Sequence, residues 1–566
     1  MKVSGRKTGS ALSHAPDSWY AVDWRRVERN VRGMQIRIAK ATREGNWRRV
    51  KALQRMLTRT LSAKLYAVRR VTQNQGARTA GVDRELWDSP ESRWEAIGRL
   101  KRRGYRPLPL RRVFIPKANG KERPLGIPTM RDRAMQALYL LALEPVSEST
   151  SDPNSYGFRL NRSTADAMSQ IFLLTCRSVS SQWVLEADIK GCFDHINHEW
   201  LENNVPMDRE ILRKWLKAGL IYKGQLQATE AGTPQGGIIS PTLANVTLNG
   251  LERELIAHLG AKFGVAKAKK LKVNVVRYAD DFVITGDSQE VLKSEVRPWV
   301  EAFLAVRGLQ LSEEKTRVTH IDHGFDFLGW NFRKYSGTLL IKPSKKNAQA
   351  FYRKVVETIS GNKTVKQEDL IRLLNPMLRG WAQYHSPVVA KQAYTRMEYL
   401  VYQRLWRWSK RRHPNKNADW VRKKYFHTVG ERNWVFGAPV VRDDGSKGLL
   451  ELYQISGTTI RRHKKIKGDF NPFDPMWERY GEQLRQERLW ESMRYRKQWA
   501  SLYMSQSGLC AHCGCPLTDE TGWHDHHLEY RMHGGSDGLS NRVLLHPHCH
   551  QQVHVGNIAV AKPVLS

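Results

Sequence analysis

The sequence predicts a multidomain α+β protein, and three observations carry that prediction. β-rich runs such as WVLEADIKGCF (183–193) and NVVRYADDFVITG (274–286) alternate with helical stretches. No Gly-rich phosphate loop follows a strand, which opposes a doubly wound parallel sheet. Basic helical regions flank this part, and the chain ends in a short run dense in Cys and His. At 566 residues it is too long for one core, so three or more modules are expected.

The N-terminal region is read as helical over 19–75. Val27, Val31, Met34 and Ile38, then Val50, Leu53, Met56, Leu57 and Leu61, recur at helical spacing among Arg and Lys. Such helices can bury one face and offer the other to phosphates, or simply keep a solvated charged face. RRVFIP (111–116) and PLGIP (124–128) predict short strands around KANGKER, with Asn119-Gly120 as the turn signal. Helices return from about 344 in FYRKVVETI, LIRLLNPMLRGWAQYH and YLVYQRLWRWSKRR. A mixed basic stretch runs to about 470, and NPFDP (471–475) reads as a linker or turn. A charged helix over 476–504 then leads into the Cys/His-rich end.

Lys and Arg total 93 against 55 acidic residues, a net charge of +38, which favours a polyanionic partner. No apolar run approaches the roughly 18–20 residues that span a bilayer. The N-terminus, MKVSGRKTGSALSHAPDSW, shows no apolar signal region. Cys176 and Cys192 stand apart, whereas Cys510, Cys513, Cys515 and Cys549 gather near the end. That distribution reads as one metal site in a reducing cytoplasm rather than a disulfide framework.

The central chemical signal is Tyr278-Ala279-Asp280-Asp281 between β-rich arms, which predicts a hairpin with adjacent carboxylates at its tip. A second acidic strand precedes it, and Asp188 in VLEADIK is expected to emerge at its end. Phosphoryl transfer to a nucleotide uses two divalent ions roughly 3.5–4 Å apart. Mg²⁺ takes carboxylate oxygens and keeps positions open for substrate. Near the C-terminus, Cys510-Ala511-His512-Cys513 and His546-Pro547-His548-Cys549 have the spacing of a Cys₃His zinc site, with Cys515 as the competing ligand.

These residues resemble a known family. ADIKGCFDHI, GTPQGGIISPTLANVTLN (232–249) and RYADDFVIT resemble successive blocks of reverse transcriptases encoded by group II introns. RRVFIPKANGKERPLGIPTMRDR, YGFRLNRSTADAM, GLQLSEEKTRVTHI and FDFLGW match further blocks in the same order. LNPMLRGWAQYH (374–385) resembles the family's maturase, or thumb, domain, and AVRRVTQNQGARTAGVD its chloroplast-like lineage. HDHHL (524–528), Asn541 and HQQVH (550–554) resemble HNH, or ββα-metal, endonucleases.

The resemblance implies a right-hand polymerase with fingers and an antiparallel palm, a helical thumb, and a small zinc-bound ββα-metal nuclease. The expected modules are an N-terminal basic extension (1–85), fingers and palm (86–335), thumb (336–425), basic DNA-binding region and linker (426–500) and nuclease (501–566). It implies Mg²⁺ at Asp188 and Asp280, with Asp281 the second carboxylate of the turn. Lys117 and Arg123 would grip the triphosphate, Phe193 would exclude a 2′-hydroxyl, and Gln235 would line the nucleotide pocket. His526, His550 and His554 would hold the nuclease ion, His527 would act as general base, and Asn541 would orient its loop. The implied partners are intron RNA, double-stranded target DNA and dNTPs, in a cytoplasmic ribonucleoprotein away from membranes. Interleaved Arg and Trp in YQRLWRWSKRRH (402–413) suit RNA. Trp406 and Trp408, two residues apart on a helix, are expected to face different ways. RRHKKIK (461–467) suits DNA binding or a solvated charge run. Two rival readings are an HNH endonuclease with a degenerate polymerase and a splicing cofactor without catalysis; the intact Asp188, Asp280 and Asp281 oppose both.

Overall fold

Polar caps start the N-terminal helices. The computed structural model describes residues 18–73, 75–116, 122–223, 225–233, 236–441, 447–493, 497–518, 521–530, 535–536, 538–556 and 558–562. Asp23, Asn46 and Thr60 accept backbone N–H bonds from Arg26, Arg49 and Ala63 at 3.0, 3.0 and 3.2 Å. They begin helices Trp24–Arg43, Trp47–Leu57 and Leu61–Thr72. Val27, Val31, Ile38, Val50, Leu53 and Leu57 are buried as their spacing predicts. Met56 faces solvent because it lies round the helix from the buried Val50, Leu53 and Leu57, and Leu61 because the chain turns at 58–60 and Leu61 opens a new helix. The helices pack on the largely buried helix Met130–Thr150. Gln35 and Gln54 donate to the carbonyls of Leu141 and Ala142 at 3.0 and 3.1 Å. Residues 19–100 thus share one core with the β-rich part that follows.

The first strands are β1 (Leu110–Pro116), β2 (Glu122–Ile127), β3 (Trp183–Asp188), β4 (Leu220–Tyr222), β5 (Gln225–Gln227), β6 (Asn274–Tyr278), β7 (Asp281–Gly286) and β8 (Arg317–His320). β1 and β2 form the expected hairpin, but the Asn119-Gly120 turn lies outside the described residues. One sheet has the order β2-β1-β4-β5. The other, β6-β7-β3-β8, is antiparallel throughout. Next come β9 (Phe325–Phe327), β10 (Trp330–Tyr335) and β11 (Thr338–Pro343), then helices Lys345–Gly361, Gln367–Tyr384 and Lys391–Arg412. Trp408 is buried and donates to the Asn362 carbonyl at 2.9 Å, while Trp406 is only half-buried, so the two do face different ways.

The basic stretch after 425 is more folded than its composition announces. β12 (Phe426–Val429), β13 (Arg432–Val441) and β14 (Lys447–Glu451) form a sheet on the second core. Within 461–467, Arg461, Arg462 and Lys464 are exposed, yet His463 Nε2 and the Ile466 N–H both meet Asp166 Oδ1 at 2.9 Å. Arg488 adds contacts of 2.9 Å to both Asp166 oxygens. Burial alone would raise the Asp166 carboxyl, but His463 and Arg488 beside it hold it down to about 2. NPFDP is pinned as well: Asn471 donates to Ser149 Oγ at 3.0 Å, and Asp474 pairs with Arg43.

The last core lies around β15 (His524–His527), β16 (Arg542–Leu545) and helix Pro547–Val555. It meets the N-terminal helices where Gln552 donates to the Tyr20 carbonyl at 3.0 Å and His548 stands edge-on to Trp24. Among the described residues, no helix is long and apolar enough to cross a membrane.

Glu252, 7% exposed, accepts bonds from the Asn154 backbone and side chain at 3.2 and 2.6 Å. Burial nevertheless pushes its carboxyl from 4.5 to about 7. A raised folded-state value stabilises fully below the unfolded pKa and is lost as pH rises through about 7. Relative to Glu252→Gln, the wild type is expected to lose roughly 3 kcal/mol at most between about pH 5 and pH 8. Denaturant midpoints at the two pH values check this, and parallel losses in both proteins would contradict it.

Candidate active sites

Strand register brings the distant carboxylates together. β7 sits between β6 and β3, and its first residue, Asp281, is paired with Tyr278 on one side and Asp188 on the other. Asp188 therefore ends β3 beside the hairpin tip that carries Asp280 and Asp281. The tip is tight: Ala279 takes φ +59°. Beneath it, the buried Arg277 guanidinium donates to the Ala279 carbonyl at 3.2 Å and to Asn245 and Asn249, each at 3.1 Å. Gly157 presses on the same turn, since a Cβ there would stand 2.3 Å from the Ala279 nitrogen.

Burial and the Asp188 charge raise the Asp280 carboxyl, against Arg123 and Lys315. Asp281 reaches solvent at the cleft surface, yet the surrounding protein and the charges of Asp280 and Asp188 push it up to about 7. Lys315 Nζ donates to Asp188 Oδ2 at 2.8 Å, and that bond raises the Lys315 pKa. Three carboxylates repelling one another, with two cations nearby, suit divalent cations with hard oxygen ligands. Arg123 approaches from β2 closely enough to favour the charge on Asp280.

Phe193 lies in the short helix Cys192–His195, its ring 6.2 Å from that of Phe158. Its carbonyl accepts the Thr233 N–H at 2.7 Å. Gly236, at φ +115°, comes so close to β2 that a Cβ would lie 2.8 Å from the Gly126 carbonyl oxygen. The glycine turn and the β1–β2 hairpin thus face each other. Lys117 and Gln235 lie outside the described residues. Sequence reasoning missed Arg277, Gly157 and Lys315 as individuals, although each stands in or beside a quoted block. Apart from the Arg277 bond to Ala279, their partners lie roughly 30 to 130 residues away along the chain, so only folding reveals those contacts.

At the C-terminus, ligand atoms of Cys510, Cys513, His546 and Cys549 lie within 4.8 Å of one another. His546 Nδ1 is 3.3 Å from Cys513 Sγ, while its Nε2 meets the Pro516 carbonyl at 3.1 Å. That outer bond turns Nδ1 towards the sulfurs, as a zinc-ligating imidazole requires. The donor set fits zinc. Cys515 is outside the group; its thiol contacts the Cys513 carbonyl at 3.7 Å.

A second cluster joins β15 to the last helix. His526, His550 and His554 have ligand atoms within 4.8 Å of one another. Burial pushes His526 and His550 down to about 4, with His554 reinforcing both, so neutral imidazoles are ready as ligands. The ring of Tyr530, not foreseen from sequence, stacks on His554 with centroids 5.3 Å apart. His527 ends β15 beside this cluster. Asn541 clamps the following loop: it accepts from the Glu529 N–H at 2.8 Å and donates to the Glu529 and Ser536 carbonyls at 2.9 and 2.8 Å. Behind β15, the Asp525 carboxylate pairs with Arg542 and accepts from Trp499 Nε1 at 3.0 Å.

An acidic strand-end cluster and a His-lined ββα cluster suit a nucleotide polymerase joined to a nuclease. Comparison with known proteins agrees. The model of the reverse transcriptase (RNA-dependent DNA polymerase) family matches residues 115–332, and that of its N-terminal domain residues 19–100. The group II intron maturase-specific domain matches 348–426, and the HNH endonuclease family 510–556. Protein YkfC of Escherichia coli is 35% identical over 304 residues, 46% of this chain and 78% of that one. Group II intron-encoded protein LtrA of Lactococcus lactis is 33% identical over 337 residues, 48% of this chain. The chain thereby spans 55% of LtrA. The chain belongs to the group II intron-encoded reverse transcriptase/maturase family and carries a C-terminal HNH endonuclease domain.

Two outcomes follow from the geometry. Gly157→Ala is expected to displace the Ala279 turn and depress primer extension about 10-fold or more, a loss of at least about 1.4 kcal/mol in barrier terms; full activity would contradict the contact. Cys513→Ser is expected to lose bound zinc, measured by elemental analysis, whereas Cys515→Ser keeps it. Zinc loss in Cys515→Ser would reassign the ligand set.

Proposed function

We propose that the protein binds the RNA of its own intron, assists its splicing, nicks double-stranded target DNA and copies RNA into DNA from the nick. The observation that carries this reading is the meeting of Asp188 with Asp280 and Asp281 across β3 and β7. In this reading 86–335 are fingers and palm and 1–85 the basic extension, whose described helices pack against them. Residues 336–425 are the thumb, 426–500 the basic DNA-binding region and linker, and 501–566 the nuclease. The resulting ribonucleoprotein works away from membranes.

Magnesium at Asp188 and Asp280, with Asp281 beside them, would supply the Lewis acidity for attack by a 3′-hydroxyl on a dNTP. The chain's own residues do the rest. Arg123 and Lys117 hold the triphosphate. Phe193 blocks a 2′-hydroxyl, and Gln235 lines the nucleotide pocket. In the nuclease, a divalent ion, most simply Mg²⁺, at His526, His550 and His554 would offset charge on the scissile phosphate. His527 takes the proton of the attacking water, and Asn541 holds the loop that follows it. Zinc at Cys510, Cys513, His546 and Cys549 would serve folding alone.

Asp280→Asn is expected to abolish primer extension on an RNA template and to leave nicking of target DNA intact. His527→Ala should cut nicking by about 10²–10⁴-fold and spare extension from an annealed primer. A folded variant of either kind that lost both activities would refute the two-site division.

A further inference from the structure

The β12–β13 hairpin holds an aromatic residue in an unusual place. Trp434 has φ +62°, a region that a bulky side chain enters only when its surroundings impose it. The pairing of the hairpin shifts register between His427 and Val429, and such a bulge re-aims nearby side chains. Here the indole is turned outward and is 43% exposed. The inner face of the hairpin does not need it, because Phe426 and Phe436 already fill that face and are buried.

Trp434 also completes a stripe. Tyr399, Tyr402 and Trp406 recur at three- and four-residue spacing on helix Lys391–Arg412 and so share one face. Tyr399 is 58% exposed. The Trp434 ring stands 6.1 Å from Tyr402 and 5.6 Å from Trp406, nearly perpendicular to both. The guanidinium of Arg422 lies 5.6 Å from the Trp434 ring, and Lys423 and Lys424 beside it are exposed.

We propose that this stripe, ending at Trp434, is a stacking platform for unpaired bases of bound RNA, with Arg422 and its neighbours on the flanking phosphates. Exposed aromatic faces accept any base, while cations track the backbone. The platform suits splayed-out loops or bulges, because a duplex keeps its base faces covered. Clustered lysines argue against a protein partner, whose contact core is depleted in them. The inference rests on the RNA-binding reading above, and it assigns the β12–β13 hairpin, which packs on the thumb helices, to RNA and not to the DNA-binding part of 426–500.

The test uses the full chain with Trp434→Ala and Trp434→Phe, each compared with the wild type by melting temperature to show that it is folded. The probes are an RNA hairpin with a single-stranded loop, a blunt fully paired RNA of equal length, and a DNA copy of the looped hairpin. Trp434→Ala is expected to weaken looped-RNA binding about 5- to 100-fold, leave paired-RNA binding unchanged and keep the same salt dependence. Trp434→Phe should retain most of the affinity. Wild-type affinity of Trp434→Ala for looped RNA would overturn the platform alone, as would an equal loss on paired RNA. A wild-type preference for the DNA hairpin would overturn RNA as the occupant. No binding of any RNA by the wild type would overturn the underlying reading, and the platform with it.

Discussion

Mutual repulsion among Asp188, Asp280 and Asp281 is the constraint around which the central sheet is built. Two of these carboxylates ride on one turn and the third comes from a strand nearly a hundred residues earlier. They meet because β7 pairs simultaneously with β6 and β3. Backbone hydrogen bonds and apolar strand faces (Val184, Leu185, Val275, Val276, Phe282 and Ile284) resist that repulsion. Below the turn, Arg277 and Gly157 leave the Ala279 backbone one place to go. Lys315 and Arg123 ease the charge from either side. A site so crowded with negative charge is poised to bind divalent cations.

The middle of the chain and its C-terminal region carry two kinds of candidate metal ligand. Carboxylate oxygens gather at Asp188, Asp280 and Asp281, whereas sulfur and imidazole donors gather at 510–554, and the two sets suit different metal ions. Helix Pro547–Val555 carries Cys549 of the zinc set and His550 and His554 of the other cluster. The same helix reaches the N-terminal helices through His548 and Gln552. Residues of both Cys/His clusters and the contacts with the N-terminal helices therefore share one nine-residue element.

Much of this was legible in the sequence, and the reason is locality. The hairpin around YADD, the strand leading to Asp188 and both zinc knuckles are contiguous patterns whose chemistry depends on nearby spacing. The parity of Trp406 and Trp408 worked for the same reason: helical geometry alone separates them. Leu61 misled because its periodicity continues across a break that no single residue announces. His463 and Ile466 bonding to Asp166, some 300 residues away, left no local trace, so 461–467 read as loose charge. Trp434 was invisible for a similar reason. Its outward aim comes from a register shift in strand pairing, not from its neighbours in sequence.

Anomalous X-ray diffraction from crystals of the whole protein soaked in Mn²⁺ tests the central claim most directly. The account predicts manganese between Asp188 and Asp280 and a separate zinc signal among Cys510, Cys513, His546 and Cys549. Zinc in its place with no manganese between the two aspartates would contradict it.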